Sequence, residues 1–403
     1  MNVLKKLLVL CSLLYGSLVL ADELGDILSS NKLEIFEYQH QDNELNSEKL
    51  LKSWINPVVL RYQKDYSTQF GDDTIKTGRF SVSINQPIFR SGGIYFGIKY
   101  AQVQRKANNA EIERQKRKLL GDAVSILFNL KKLSLQQNKS KLLIANDLIS
   151  IRQKRESYQS GLLDSSFLDR AILQKSQNEA SLLKMELNSL ELEQRFSLLS
   201  DKNPKKLRLP KLKLMDKSSY KHKNLTLKRD KYRASQASYN EKVTWAKYMP
   251  TLSVSGSYID ADINPLFRQV GSGLKEQYYN YSMSVSMALD INALTDIEAS
   301  RVAKLKSATQ VIDTKMTIEK EYEWIKKSLF ILDKNIELAK KDEKIYLNLY
   351  RLTKNLVSAG EKTSHDAKLM KNSLEVRKID QKIYAIDKQI QLLKLYARMK
   401  NAL

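Results

Sequence analysis

The sequence predicts a mainly α-helical protein that carries a pair of membrane-type β-hairpins per chain, arranged as two internal repeats. Three observations lead there. All six prolines (Pro57, Pro87, Pro204, Pro210, Pro250 and Pro265) lie outside two long stretches, Ile88–Asn203 and Leu266–Leu403. Because an interior proline costs a helix about 3 kcal/mol, such gaps permit very long helices. Next to the prolines, short segments alternate strictly between apolar and serine-rich positions, the period of a strand with two unlike faces. Finally, landmarks of the first half recur in the same order in the second.

Composition narrows the class. In 403 residues there are only 13 glycines and six prolines, too few for a disordered, collagen-like or loop-rich β protein. The apolar fraction of 42% supplies a large buried surface, and the 28% of charged residues suits long helices with wide polar faces. No run of about 20 apolar residues follows the N-terminus, which excludes a helical membrane bundle.

Residues 1–21 read as a Sec signal peptide. Lys5 and Lys6 precede the apolar run Leu7–Leu20, and Val19-Leu20-Ala21 supplies a cleavage site. The only cysteine, Cys11, falls inside this segment, and the bulky Leu10 before it does not suit a lipid-anchor signal. The mature chain is then cysteine-free and held by packing alone. Loss of Lys5 and Lys6 lowers the net charge from +23 to +21.

The first repeat is expected over 22–200, an equatorial linker over 201–217 and the second repeat over 218–403. Tyr158-Gln159-Ser160-Gly161-Leu162 matches Leu356-Val357-Ser358-Ala359-Gly360, with the two glycines 199 residues apart. Trp54-Ile55-Asn56-Pro57 matches Lys247-Tyr248-Met249-Pro250, at an offset of 193. Strands are expected at about 57–70 and 80–90, and again at about 250–261 and 279–291. Phe80, Val82 and Ile84 alternate with Ser81, Ser83 and Asn85. In the second half Leu252, Val254, Gly256 and Tyr258 alternate with Ser253, Ser255 and Ser257. Tyr279, Tyr281, Met283, Val285, Met287 and Leu289 then alternate with Asn280, Ser282, Ser284, Ser286 and Ala288. A serine-lined face suits the water-filled side of a membrane barrel, and it places Tyr279, Tyr281, Met283, Val285 and Met287 on the lipid side. The turns Gly71-Asp72-Asp73 and Asp262–Lys275 join the strands as hairpins. Four strands cannot close a barrel, so they must pair with other copies or leave edges exposed. Two copies give eight strands and a lumen plugged by side chains; three give twelve strands and an open lumen.

After each hairpin a helix of matched length is expected, over 93–160 and 293–359, each about 100 Å long at 1.5 Å per residue. Return helices over 164–200 and 365–402 cover half that distance. Lead-in helices over about Gly25–Asn56 and Lys217–Met249 supply the rest, with the proline-bearing linker where they meet. In the last helix Ile379, Ile383, Ile386, Ile390, Leu393 and Ala397 form a coiled-coil seam, beside a second stripe of Leu392, Leu395 and Met399. The first return helix shows Leu183, Leu187 and Leu190, and separately Met185, Leu192, Phe196 and Leu199. Two narrow seams fit a helix that touches neighbours on both sides.

With these elements in this order the chain resembles the TolC family of outer-membrane efflux proteins over essentially all of its mature length. Gln86-Pro87-Ile88-Phe89-Arg90-Ser91-Gly92-Gly93 is similar to the family's strand-to-helix passage, and Leu289-Asp290-Ile291-Asn292 to its repeat. Tyr248-Met249-Pro250-Thr251-Leu252-Ser253-Val254 resembles the start of the second hairpin, and Tyr158–Ala171 and Leu356–Leu369 the two helical tips. The resemblance implies a homotrimer with a twelve-stranded outer-membrane barrel, four strands per chain, continuous with a long periplasmic α-helical barrel. It also implies a passive exit duct of a tripartite efflux or type I secretion system, partnered by a periplasmic adaptor (a membrane fusion protein) and an inner-membrane pump. By position, Gly161, Leu162, Leu163, Leu168, Ala171, Gly360 and Glu361 become adaptor-docking residues. Asp366, Lys362 and Lys368 become residues of the periplasmic entrance. The chain departs from the family pattern at Phe167, which stands where Asp366 stands in the second half, and at Leu369, where a second acid is expected. Turn-forming roles for the two glycines and helix-cap roles for Asp164 or Ser364 are the simpler readings of the tips.

Other chemistry is sparse. His40, His222 and His365 are scattered and lack a cysteine partner, so no metal site is expected. No phosphate loop or His-Glu-x-x-His motif occurs, and neither an enzyme activity nor a cofactor is expected. Lys and Arg are spread through the helices without a stacking surface, so nucleic acid is not the expected partner. The charge reads either as a solvated exterior or as a basic lumen for anionic cargo. The other functional class open to the sequence is a periplasmic coiled-coil rod or adaptor without membrane insertion, which leaves the serine-alternating strands without a purpose. An autonomous pore with no partner machine also fits.

Overall fold

A computed structural model of the chain describes residues 27–68, 74–263, 273 and 275–400. The expected signal segment with Cys11, the Gly71-Asp72-Asp73 turn, most of the Asp262–Lys275 turn and residues 401–403 lie outside the described residues. In chain order the elements are α1 (Ser30–Leu51), β1 (Val59–Ser67), β2 (Ile75–Phe89), α2 (Gly93–Gln159), α3 (Ser165–Ser197), α4 (Lys217–Lys223), α5 (Leu225–Lys247), β3 (Thr251–Ala261), β4 (Gln277–Ser286), α6 (Ala293–Ser358) and α7 (Ser364–Tyr396). The long helices α2 and α6 have 67 and 66 residues, within one residue of their expected ends.

The chain divides into two compact units. One comprises Met1–Glu37, Ile112–Leu225 and Lys315–Leu403, the other Tyr38–Glu111 and Thr226–Thr314. Each unit draws on both halves of the sequence.

In the second of these units the strands form one antiparallel sheet in the order β1-β2-β3-β4. Both expected hairpins are present, and β2 pairs with β3 to join them. Two strand boundaries differ from expectation. β2 starts at Ile75 rather than near 80, because Ser67 pairs with Ile75 and the hairpin continues through Lys76 and Gly78, where the apolar alternation is silent. β4 ends at Ser286 rather than 291. Its last residue pairs with Thr251, and the next position on β3 is Pro250, which has no N–H to offer. Met287 therefore lies past the strand. Helix contacts in this unit combine buried small apolar residues, Ala101, Ala107 and Ala246 among them, with polar ties: Asn43 donates to the Asn109 side chain at 2.9 Å and to the Arg105 carbonyl at 3.1 Å. The buried Asp230 accepts from the Thr314 hydroxyl at 2.7 Å and pairs with Arg229, which reaches on to Glu111 at 3.0 Å.

In the first unit Leu28, Phe36 and Ile112 pack as one cluster with Leu33 and Leu119 against it, and Ile27 and Phe196 are also buried. Burying side chains of this size contributes about 1.5–3 kcal/mol each. The second stripe of the last helix is buried at Leu392, Leu395 and Met399, while the first is buried at Ile383 and Leu393 and half-buried at Ile379, Ile386, Ile390 and Ala397. Lys139 and Lys132 of α2 reach Asp380 and Asp387 of α7 at 2.6 and 2.7 Å. The return helices have 33 residues each and stop short of 200 and 402. After Ala397 the chain leaves the helix, and Met399 forms an antiparallel bridge with Asn224. The same bridge corrects the expected lead-in helix 217–249. Asn224 is extended, with φ −67 and ψ 119, and separates α4 from α5. Leu225 N–H donates to Arg398 O at 3.0 Å and Lys400 N–H to Lys223 O at 3.2 Å, so the break exchanges helical bonds for sheet-like ones. Beside it Tyr220 is fully buried and stacks on Tyr322, and burial pushes its phenol well above the ordinary tyrosine range. Residues 207–216 of the linker run without a turn or bend.

Candidate functional site

The two helix-to-helix tips share one backbone device. At the first, Gly161 adopts φ 72, its N–H donates to Tyr158 O at 3.0 Å, and Leu162 N–H donates to Ser157 O at 2.9 Å. At the second, Gly360 adopts φ 78, its N–H donates to Val357 O at 3.1 Å, and Glu361 N–H donates to Leu356 O at 2.9 Å. Both are glycine-terminated Schellman turns, which need a left-handed residue at that place. The simpler, turn-forming reading of the glycines therefore describes their geometry fully.

The tips differ in how the next helix starts. Asp164 caps α3 by accepting from Ser166 N–H at 2.8 Å. In α7 the cap is Thr363, one residue before the expected Ser364, and Asp366 closes a capping box with it. The Asp366 carboxylate accepts from Thr363 N–H at 3.0 Å, from its hydroxyl at 2.8 Å and from the Gln153 amide at 2.9 Å. These bonds, that of the Thr363 amide foremost, hold the carboxyl below the ordinary aspartate range. Lys362 adds a weaker attraction. His365 Nε2 lies 3.5 Å from an Arg152 guanidinium nitrogen. Neither Lys362 nor Lys368 has a carboxylate within ion-pair distance among the described residues.

Accessibility separates the docking candidates. Leu162 is 78% exposed, and Gly161, Gly360 and Glu361 are open to solvent, while Leu163 and Leu168 are half-buried. Ala171 is the exception: at 6% exposed it belongs to the packing of the hairpin and offers no surface. Phe167, which stands where the second tip has Asp366, is exposed with Tyr158. The first tip is thus apolar and the second polar.

The sheet sorts its side chains as the alternation requires. Cross-strand partners point to the same side of an antiparallel sheet. Val59, Ser83, Ser257 and Asn280 share one row on one face, with Asn85, Ser255 and Ser282 in the next. These residues line a hollow together with Asn56, Pro57 and three residues of the opposite-face rows, Ile84, Gly256 and Tyr281; within it the Ser255 and Ser282 hydroxyls bond at 2.7 Å. On the other face Leu60, Val82, Tyr258 and Tyr279 form a row, followed by Ile84, Gly256 and Tyr281, then by Val254 and Met283, and by Leu252 and Val285. Tyr279, Tyr281, Met283 and Val285 are all largely exposed, as is Met287 beyond the strand end. β1 and β4 are the outer strands, each with one unpaired edge in the sheet.

Several apolar stretches of the described helices remain uncovered, among them Val302, Leu305, Ile312 and Met316 of α6, and two form regular stripes. Leu183, Leu187 and Leu190 of α3 are exposed, whereas the other seam of that helix buries Phe196. On α6, Trp324, Ile331, Leu338, Ile345 and Leu352 recur every seven residues and each is more than half exposed. The second stripe escaped the sequence reading. Its signal is the strict seven-residue repeat, masked by polar residues at most of the intervening seam positions.

No protein-family model matches the chain, and no curated protein matches it by sequence. Solved structures do. The outer membrane protein VceC of Vibrio cholerae is similar with a TM-score of 0.73 at 13% identity, covering 91% of this chain and 92% of that one. The CmeC outer membrane channel of Campylobacter jejuni gives a TM-score of 0.75 at 13% identity, over 95% of this chain and 85% of that one. The open state of the MtrE outer membrane channel of Neisseria gonorrhoeae gives 0.64 at 11% identity, over 93% and 87%. The fold is therefore that of the TolC-like outer-membrane channels, over nearly the whole chain.

Proposed function

We propose that the chain is one protomer of a homotrimeric outer-membrane exit duct that conducts substrates passively and carries no enzymatic activity. The observation that carries this reading is the sheet: four strands, one face of serines around a hollow, the other face of exposed aromatic and aliphatic side chains, and an open edge at each end. Such a sheet is costly in water and satisfied in a bilayer once its edges pair with neighbouring copies, three of which supply twelve strands. The uncovered stripes of α3 and α6 support the same assembly, because each side chain buried there stabilises it by roughly 1.5–3 kcal/mol. In this reading Tyr279, Tyr281, Met283 and Val285 face lipid, and the helices extend into the periplasm.

The finer assignment is a duct in a tripartite efflux or type I secretion system, docked at its tips by a periplasmic adaptor and fed by an inner-membrane pump. Gly161, Leu162, Leu163, Leu168, Gly360 and Glu361 are the proposed docking residues, with exposed Leu162 and Phe167 as apolar anchors. Asp366, Lys362 and Lys368 stand at the proposed entrance. Outer-membrane fractionation, heat-modified gel migration and crosslinking of the native protein test the reading. Recovery as a soluble monomer would reject it.

A further inference from the structure

The linker that joins the two halves carries a long acid-free run of positive charge. Lys202, Lys205, Lys206, Arg208, Lys211 and Lys213 fall within twelve residues, with no acid between them, and all six are exposed. Only Lys205 has a carboxylate within ion-pair distance among the described residues, Glu193 at 3.1 Å. Cations placed this closely repel one another unless something screens them.

The segment is nevertheless held firmly. Leu212 is buried; its N–H donates to the Gln389 side-chain carbonyl at 2.7 Å, and its carbonyl accepts from the Gln389 amide at 3.2 Å. The Tyr396 hydroxyl donates to Lys213 O at 2.9 Å and the Tyr322 hydroxyl to Met215 O at 2.7 Å. Across 207–216, which hold no turn or bend, Arg208, Lys211 and Lys213 are exposed, while Leu207, Leu209 and Leu212 are wholly or partly covered and Leu214 is exposed. The result is a pinned segment of exposed cations in which most of the apolar side chains are covered.

We infer that this strap is a docking surface for a linear polyanion bearing carboxylates, the peptide-substituted glycan of the cell wall. The inference rests on the proposed outer-membrane location, which would carry the helices through that layer. The composition of the array favours such a polymer over a folded acidic protein. Protein interfaces concentrate aromatic and arginine anchors and are depleted of lysine at their centre. Here five of the six cations are lysines, which act as point charges rather than as bidentate forks. No aromatic residue occurs between Asp201 and Met215.

The test is co-sedimentation of the purified full-length protein with insoluble cell-wall sacculi. Binding is expected at low salt and lost as ionic strength rises, since exposed charges are screened within a Debye length. Amidation of the sacculus carboxylates should abolish it. The triple variant Arg208→Gln, Lys211→Gln, Lys213→Gln should bind severalfold less, whereas Lys326→Gln, Lys327→Gln, Lys340→Gln on α6, with the same loss of charge, should bind as the parent does. Heat-modified migration of each variant reports separately on assembly, so failure of the duct reading is distinguishable from failure of this one. Equal binding by both triple variants, retention on amidated sacculi, or capture of polyglutamate but not of sacculi would each overturn the inference.

Discussion

The Gln153 side-chain amide donates to the Asp366 carboxylate at 2.9 Å, tying the end of one long helix to the first turn of the last helix. Asp366 meets this bond while closing the capping box with Thr363, so a single carboxylate starts α7 and fixes it against α2. The geometry makes Asp366 a cap and a tie.

Asp366→Ala should cost about 1 kcal/mol of local stability as the cap is lost. Hydrogen exchange at residues 363–369 should accelerate, and Gln153→Ala should produce a smaller effect. Block of single-channel current by multivalent cations should weaken in Asp366→Ala if the side chains line the throat. Unchanged block would confine Asp366 to its capping role.

The same carboxyl sets a pH response. Its folded pKa is depressed, so the contribution of the cap is complete above the unfolded value of about 3.9 and is lost as pH falls through the folded one. The protection factor at the tip, with exchange corrected for the intrinsic rate at each pH, should therefore be constant from neutral pH down to that value and fall below it. In Asp366→Ala the tip should show no such inflection.

The two faces of β4 predict opposite tolerances. Val285→Arg should impair membrane assembly by about 2–4 kcal/mol if it sits near the bilayer midplane, while Ser284→Arg, on the serine face, should be milder. The readout is the fraction of heat-modifiable trimer. Equal effects would mean that the face assignment is wrong, and a reversed order that the lipid and water faces are exchanged.

Gly121 is required by space. A Cβ there would collide with the Cβ of Ala397, against a helix that cannot easily yield. Gly121→Ala should destabilise by about 1–3 kcal/mol through overpacking. Adding Ala397→Gly should restore most of the loss in a denaturant melt. A neutral Gly121→Ala would show that the two helices separate at little cost.

The α6 stripe predicts a separation of assembly from folding. Leu338 is more than half exposed in the single chain, so Leu338→Asp should leave helix content unchanged and abolish the crosslinked trimer. Loss of helix content instead would place Leu338 inside the protomer.

Much of this molecule is decided locally, which is why it is legible from the residues alone. Helix lengths of 67 and 66 residues follow from where prolines and glycines fall, since these residues act on the backbone at their own positions. The two faces of the sheet follow from a period of two, and the tip turns from Gly161 and Gly360. Tertiary structure decided what depends on a distant partner. β4 stops at Ser286 because Pro250 sits across from its continuation, though its own alternation runs on through Met287 and Leu289. The second lead-in helix breaks because Asn224 finds Met399 across the chain, an exchange of hydrogen bonds that no propensity at Asn224 announces. Asp366 reads in sequence as an acid near a turn; only the approach of Gln153 and Thr363 makes it a tie between helices. Burial likewise removed Ala171 from the accessible tip and left the heptad from Trp324 to Leu352 uncovered. A residue carries its backbone preference and its polarity wherever it goes, but its partners exist only once segments far apart in the chain have packed.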